Sequence, residues 1–340
     1  MAESVAFAGQ KILVTGGSGS FGQALVAELL ERKAKVVRVL DHDENGLWAL
    51  RERHRGEPRL RLLLGDLRDL PRLETACADI DVIIHAAALK HVESSEYNPF
   101  EAVKTNVIGT QNVIDAGLEA NVEKVVLTST DKAVNPVSVL GATKLLAEKL
   151  IVAANFYRGS HRTAFSCVRF GNVLGSRGSA PLLFREQVIA GGPVTLTDER
   201  MTRFVMTLPD AVRLVLKAID LTRGGETFIL KMDAARISDL AAVLIERGGA
   251  REGRKVTVSR SGPKPGERLH EELMTEEEAS RAYELADMYL VVPNMPELLP
   301  VDMKAYPGAK PVRRIVYRSD QVSMLSRQDL AGLMKAEGLL

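Results

Sequence analysis

The sequence predicts an α/β protein: a Rossmann-type, doubly wound parallel sheet with a smaller C-terminal substrate-binding domain. Three observations predict it. Short apolar runs alternate with stretches of helical periodicity from Lys11 to about Val173, the signature of strand–helix–strand units. A glycine-rich turn, Gly16-Gly17-Ser18-Gly19-Ser20-Phe21-Gly22, joins the first apolar run to the first helical stretch. After Gly175 the texture changes, with frequent glycine and proline around Gly191-Gly192-Pro193 and Gly262-Pro263-Lys264-Pro265-Gly266. We therefore expect a nucleotide-binding domain over residues 1–175. A mainly substrate-binding part follows over 176–325, with one segment near Thr227–Lys231 returning to the main sheet, and then a terminal helix over 326–340.

The first strand is Lys11-Ile12-Leu13-Val14-Thr15. Gly16 and Gly19 let the backbone turn tightly and approach a pyrophosphate, while Gly22 lets the next helix pack closely on the strand. Ser18, Ser20 and Phe21 complete this loop. A pyrophosphate would sit on the helix N-terminus, where free N–H groups and the helix dipole favour anions. The second strand, Lys35-Val36-Val37-Arg38-Val39-Leu40, ends at Asp41, about 20 residues on, where dinucleotide folds bind the ribose hydroxyls. A carboxylate there repels a 2′-phosphate, so NAD is favoured over NADP. The bland alternative for Asp41 is a turn cap.

The third strand, Leu60–Leu64, leads to Asp66 and Leu67, candidates for the adenine pocket. The fourth, Val82-Ile83-Ile84-His85, leads into Ala86-Ala87-Ala88-Leu89-Lys90-His91. Small residues at that strand end permit close passage of a cofactor, and Lys90 and His91 are candidate substrate contacts. The fifth, Val125-Val126-Leu127, runs into Thr128-Ser129-Thr130-Asp131-Lys132. Ligands of open α/β sheets bind outside the carboxyl ends of strands. An acid beside an amine there points to proton transfer; a surface ion pair is the alternative. Later segments read as strands at Pro193–Thr197 and Glu226–Leu230, and as helices at Leu208–Leu221 and Ile237–Glu246.

Composition bounds the function. The chain has 340 residues and a net charge of +1, which gives no electrostatic case for nucleic acid or an anionic membrane as partner. Its two cysteines, Cys77 and Cys167, lie in apolar surroundings. They suggest neither a disulfide framework nor a metal site, and a reducing compartment is expected. Met1-Ala2-Glu3-Ser4 lacks the basic region and apolar core of a secretory leader. No apolar run approaches the roughly 20 residues that span a bilayer, so a cytoplasmic location is expected.

The motifs together carry a resemblance. They are Thr15–Gly22, Ala86–Val92, Asn98–Asn106, Ser129–Pro136, Gly141-Ala142-Thr143-Lys144, Val168–Ser179, Met201-Thr202-Arg203-Phe204 and Pro265–Leu273. In this order they resemble an extended short-chain dehydrogenase/reductase, more narrowly the UDP- or GDP-N-acetylglucosamine 4,6-dehydratases of the polysaccharide-biosynthesis type. Some relatives carry an N-terminal membrane domain, and this sequence resembles the members without it.

The resemblance implies a chemistry. NAD takes a hydride from C4 of the sugar, water leaves across C5 and C6, and the hydride returns to C6, so the cofactor stays bound and is recycled. Lys132 matches the base for C5 and Asp131 the acid for the C6 hydroxyl. Such a base must be partly neutral, which burial or a nearby cation such as Lys144 would promote. Thr130 matches a hydrogen bond to the C4 oxygen, and Lys144 a contact with the nicotinamide ribose. Where the wider family places the tyrosine of a Tyr-x-x-x-Lys pair, this chain has Leu140. Some dehydratases of the family carry methionine there, and Leu140 is expected to form an apolar wall beside the sugar.

Asn172 and Arg203 match positions holding the substrate diphosphate, and Arg177 is assigned similar work. Glu267 matches the nucleotide ribose contact, and Thr195 and Thr197 lie near the expected base pocket. Helices over Pro99–Leu118 and Gly141–Phe156 would pair into a four-helix bundle, making a homo-oligomer. Two other functions compete: a nucleotide-sugar 4-epimerase, and a non-catalytic sensor of NAD and nucleotides. The Asp131–Lys132 pair with Leu140 favours dehydration, because epimerases need no acid–base pair for C5 and C6 and rely on the missing tyrosine.

Overall fold

The computed structural model describes residues 7–249, 255–262, 264–313 and 316–340. Met1–Ser4 and Pro263, used above in reading the sequence, lie outside the described residues. The apolar runs fold as strands β1 Lys11–Thr15, β2 Val36–Asp41, β3 Leu60–Leu64, β4 Val82–His85, β5 Lys124–Thr130 and β6 Ala164–Phe170. β1, β4, β5 and β6 are buried along almost their whole length. That is the condition of parallel strands covered by helices on both faces.

Among the described residues, ten strands share one sheet. The order is β3–β2–β1–β4–β5–β6, then Thr227–Leu230, Met288–Val291, Ala282–Glu284 and Lys310–Pro311. All neighbours from β3 to Thr227–Leu230 run parallel. The return of Thr227–Leu230 to the main sheet matches the expectation. The antiparallel continuation through Met288–Val291 and Ala282–Glu284 was not foreseen. Those runs of three and four residues are too short to show a period of their own.

The strand order reverses between β1 and β4, which opens the ligand crevice at their carboxyl ends. Register then places the residues. Thr15 at the end of β1 lies opposite His85 at the end of β4. β5 outruns β4: its last partner there is Leu127 opposite His85, while Thr128, Ser129 and Thr130 pair only with Val168, Arg169 and Phe170 of β6. Thr130 and the turn after it therefore stand beyond the neighbouring strand, over the crevice.

Apolar side chains of the helices cover both faces. Leu25, Leu29, Val215 and Ile219, from helices Ser20–Glu31 and Leu208–Leu221, pack in one cluster. Leu73, Ile114, Ala147 and Ile151 pack in another. A third cluster, with Phe184, Leu196, Met201, Leu240, Leu244, Leu330 and Met334, is built from residues beyond Val173. It includes the terminal helix Arg327–Ala336, whose start is fixed by a capping box between Ser326 and Asp329.

The segment expected as one helix from Pro99 is helical throughout, as Pro99–Ala102, a wider π turn Val103–Ile108, and Gly109–Glu119. The π turn has a visible anchor. Asn106 accepts from the Leu89 N–H at 2.8 Å and donates to the Leu89 carbonyl at 3.2 Å and to Thr143 Oγ at 3.1 Å. It thereby ties this helix to the β4 loop and to helix Val139–Tyr157. Among the described residues, no helix is long and apolar enough to cross a membrane.

Candidate active site

The glycine loop forms a cradle that only glycine permits. Gly16 has φ +72°, and a Cβ on it would lie 2.7 Å from the Ala87 backbone. A Cβ on Gly22 would lie 2.4 Å from the Gly16 carbonyl oxygen. The helix that follows starts at Ser20, and its N-cap Gly19 makes no side-chain cap. These features fit a dinucleotide pyrophosphate. Asp41 is buried and already bonded: Oδ2 accepts from Ser18 N at 2.9 Å and Ser18 Oγ at 2.6 Å, and Oδ1 from Asp43 N at 3.1 Å. The residue therefore shapes the loop as well as facing it, and it is Asp43 that caps helix Glu44–Arg53.

Asp66 is engaged by Arg68 through its N–H and guanidinium. Leu67 is buried under Gly109, and its carbonyl accepts from Asn112 at 2.8 Å. Ala86 and Ala87 receive the end of β1: the Ala86 N–H donates to the Thr15 carbonyl, and the Ala87 N–H to Thr15 Oγ. Ala88, like both, is half-buried.

At the end of β5 the acid and the amine meet. Asp131 is 0% exposed, and its Oδ1 accepts from Lys132 Nζ at 2.9 Å and from Thr130 Oγ at 2.8 Å. Its other oxygen, Oδ2, is buried without a hydrogen-bond partner. A buried carboxylate oxygen left open is costly, and it is a ready acceptor for a ligand's donor group. Lys132 keeps 26% of its side chain exposed and lies 3.7 Å from Glu271 Oε1. Burial alone would lower its pKa, but attraction to Asp131 and Glu271 outweighs this and holds it above the ordinary lysine value. This corrects one expectation: neither burial nor Lys144 makes Lys132 neutral, because two carboxylates face it. A cation that does act on it is Arg203, whose charge pulls the Lys132 pKa down.

Lys144 is buried and donates to the Thr128 carbonyl at 2.8 Å. Burial lowers its pKa to about 8, against the pull of Glu148 one turn along the helix. Leu140, on the first turn of the same helix, is 4% exposed and joins none of the three apolar clusters of the described residues.

His85, beneath the crevice, is bonded to Thr15 Oγ at 2.7 Å and Thr110 Oγ at 3.1 Å. Burial, helped by Lys144, lowers its pKa from 6.5 to about 3, so the ring is neutral. In the unfolded chain it takes up a proton near pH 6.5, in the folded chain only near pH 3. Its contribution is thus complete above pH 6.5 and lost as pH falls towards about 3. The urea midpoint should drop across that window, and His85→Gln should flatten the drop; an unchanged slope would contradict it.

A loop closes over the cleft. Arg177, with 60% of its side chain exposed, donates from its backbone N–H to Ser20 Oγ at 3.0 Å and from its guanidinium to the Ser18 carbonyl at 2.9 Å. Lys90 Nζ donates to the Arg177 carbonyl, and the His91 ring packs against Gly178. Arg177, Lys90 and His91 are thus brought together across the glycine loop. The sequence assigns Arg177 to the substrate diphosphate; the structure lays it on Ser18 and Ser20, because its loop crosses the crevice there.

Of the remaining candidates, Asn172 has a buried Oδ1 without a partner. Arg203 is buried and donates to the carbonyls of Thr202 at 2.8 Å and Leu269 at 3.2 Å, with Glu271 at 3.7 Å. Thr195 lies on strand Val194–Leu196 and is held by Gln187. Thr197 is half-buried and Glu267 is exposed. Two features escaped the sequence reading. Glu271 sits in the Pro265–Leu273 motif but was given no role. Arg169 joins Glu148 and Glu278 in a buried ion cluster. No group of three or more His, Cys, Asp or Glu suited to a metal ion occurs among the described residues.

Comparison with known proteins agrees with this architecture. Residues 12–293 match the model of a family described as polysaccharide biosynthesis protein. A Methanocaldococcus jannaschii protein named as an uncharacterized membrane protein is 50% identical, over 95% of each chain. A UDP-N-acetylglucosamine 4,6-dehydratase (inverting) of Campylobacter jejuni is 41% identical, over 85% of this chain and 84% of its own. A UDP-glucose 4-epimerase of Rickettsia canadensis is 38% identical, over 84% and 83%. Among solved structures, Pen from Bacillus thuringiensis superposes with a TM-score of 0.91 at 42% identity, covering 98% of this chain and 99% of that one. DesIV, a dTDP-glucose 4,6-dehydratase from Streptomyces venezuelae solved with NAD and TYD bound, gives 0.68 at 27%, covering 76% and 86%. The chain belongs to the polysaccharide-biosynthesis family of extended short-chain dehydrogenases/reductases.

Proposed function

We propose that the protein is an NAD-dependent 4,6-dehydratase of a nucleotide-activated N-acetylglucosamine. The observation that carries this is the 2.9 Å contact of Lys132 with a buried Asp131 at the end of β5, beside a leucine in the tyrosine position. Bound NAD would accept the C4 hydride and return it to C6. Arg177 and the glycine loop would hold its pyrophosphate, and Asp41 its ribose. Asn172 and Arg203 would receive the substrate diphosphate, and Glu267 its nucleotide ribose.

The pair holds one proton between its two members. Passing that proton from Lys132 to Asp131 across their hydrogen bond gives a neutral amine and a carboxylic acid together. The amine takes the C5 proton and the acid supplies the C6 hydroxyl as water leaves. The raised pKa of Lys132 keeps this proton count through neutral pH. Thr130 would orient the C4 oxygen. Lys144, its pKa lowered by burial to about 8, is neutral in a minor fraction near pH 7 and would receive the C4 hydroxyl proton in that form.

Leu140 cannot take part in proton transfer, and we assign it to the wall of the sugar site. Leu140→Met should then keep kcat within about tenfold, since methionine fills a similar volume; complete loss in a folded variant would overturn this role. The reaction itself is tested with UDP- and, separately, GDP-N-acetylglucosamine, following the nucleotide sugar by mass spectrometry. Loss of one water supports dehydration. Isomerisation without mass change would replace this reading by the epimerase, and return of both unchanged, with NAD bound, would reject the substrate class.

A further inference from the structure

Glu271 is a buried carboxylate, 3% exposed, in a place where no core needs one. Its Oε1 lies 3.7 Å from Lys132 Nζ and also 3.7 Å from Arg203 Nε. Its backbone N–H donates to Ser319 Oγ at 3.0 Å, which fixes the segment before strand Glu272–Met274. A line of alternating charge results: Asp131, Lys132, Glu271, Arg203. It holds two charges of each sign, as a buried set must to limit the cost of desolvation.

We propose, on the dehydratase reading above, that Glu271 is a positioning residue of the acid–base pair, holding the Lys132 ammonium towards the cleft and coupling it to Arg203. Asp131 restrains Lys132 from its own turn. Glu271 does so from the C-terminal half of the chain, so the amine is held from two sides. Other charged groups packed on this turn point elsewhere. Lys144 donates to Thr128, Arg268 to the Val134 carbonyl, and Glu272 accepts from Asn135. One carboxylate thus serves both the proposed base and the arginine assigned to the diphosphate. Anything that draws Arg203 away leaves Glu271 to Lys132 alone.

The test needs no turnover. Lysines are reductively methylated with ¹³C, Lys132 is assigned by its loss in Lys132→Arg, and its resonance is titrated. In Glu271→Gln an attractive charge is gone and Arg203 still repels, so the Lys132 pKa should fall by about one unit or more. In Arg203→Met the repelling cation is gone, so it should rise. Glu271→Asp, which keeps the charge, should restore the titration towards the parent value. Where turnover is measurable, the alkaline limb of kcat should move down with Glu271→Gln, because the pair then loses its shared proton earlier. A Lys132 titration unmoved in both Glu271→Gln and Arg203→Met overturns the proposal, even if the protein dehydrates sugars. The expected shifts in a protein that turns over no sugar would sustain the coupling and reject the reaction instead.

Discussion

On the proposed dehydratase function, Lys132→Met should lower dehydration by about 10²–10⁴-fold, the usual range for a positioned general base, while leaving NAD binding in place. The reason is local. Lys132 contacts Asp131 and Glu271, and its backbone N–H meets Thr130 Oγ at 3.4 Å, none of which belongs to the glycine loop. The cradle of Gly16 and Gly22 is set by Ala87 and by Gly16 itself. Cofactor binding, read by fluorescence or calorimetry, should therefore survive. The C4 oxidation step should survive in part, since Lys144 and Thr128 are unchanged. Methionine also leaves Asp131 as an unpaired buried carboxylate, so a modest stability loss is expected beside the kinetic one. Full activity in Lys132→Met would remove the proposed base.

The second large effect is on stability. Arg169→Met should cost about 3–5 kcal/mol, the range for removing one partner of a buried ion pair. Arg169 lies on β6 between Ser129 and Ile229 and is 2% exposed. Its guanidinium donates to both Glu148 oxygens at 2.8 and 2.7 Å and to both Glu278 oxygens at 2.9 and 2.8 Å. Burial disfavours its charge, yet the two glutamates hold it well above the ordinary arginine value. Removing it strands two carboxylates. The triple variant Arg169→Met, Glu148→Gln, Glu278→Gln should recover part of the loss, since amides tolerate burial better than charges. The cluster also matters for the site. Glu148 lies one turn beyond Lys144, and Glu278 follows the strand that carries on from Glu271. A denaturant midpoint unchanged in Arg169→Met would show that the cluster adds nothing.

Where the chain speaks through local pattern, the sequence is readable. β1, β3 and β4 keep the bounds expected from their apolar runs, and helix Leu208–Leu221 starts directly after its Thr207 cap, with Pro209 in its first turn. The strand-end position of Asp131 and Lys132 follows from the same reasoning. Charge state does not. Whether a lysine is neutral depends on every group that faces it, and Glu271 reaches Lys132 from far along the chain. The Arg169 cluster was hidden for the same reason: its partners lie 21 and 109 residues away. Arg177 is assigned to the substrate diphosphate from its sequence, and only folding shows its loop lying on Ser18 and Ser20. The π turn at Val103–Ile108 is likewise fixed by Asn106 reaching Leu89, a contact no helical period reveals.

A deuterium placed at C4 of UDP- or GDP-N-acetylglucosamine reports the path of the hydride. Dehydration by the proposed route gives a product lighter by one water, with the label at C6 and none released to solvent. A label that stays at C4 of an isomerised sugar, with no water lost, would contradict it and make the protein an epimerase.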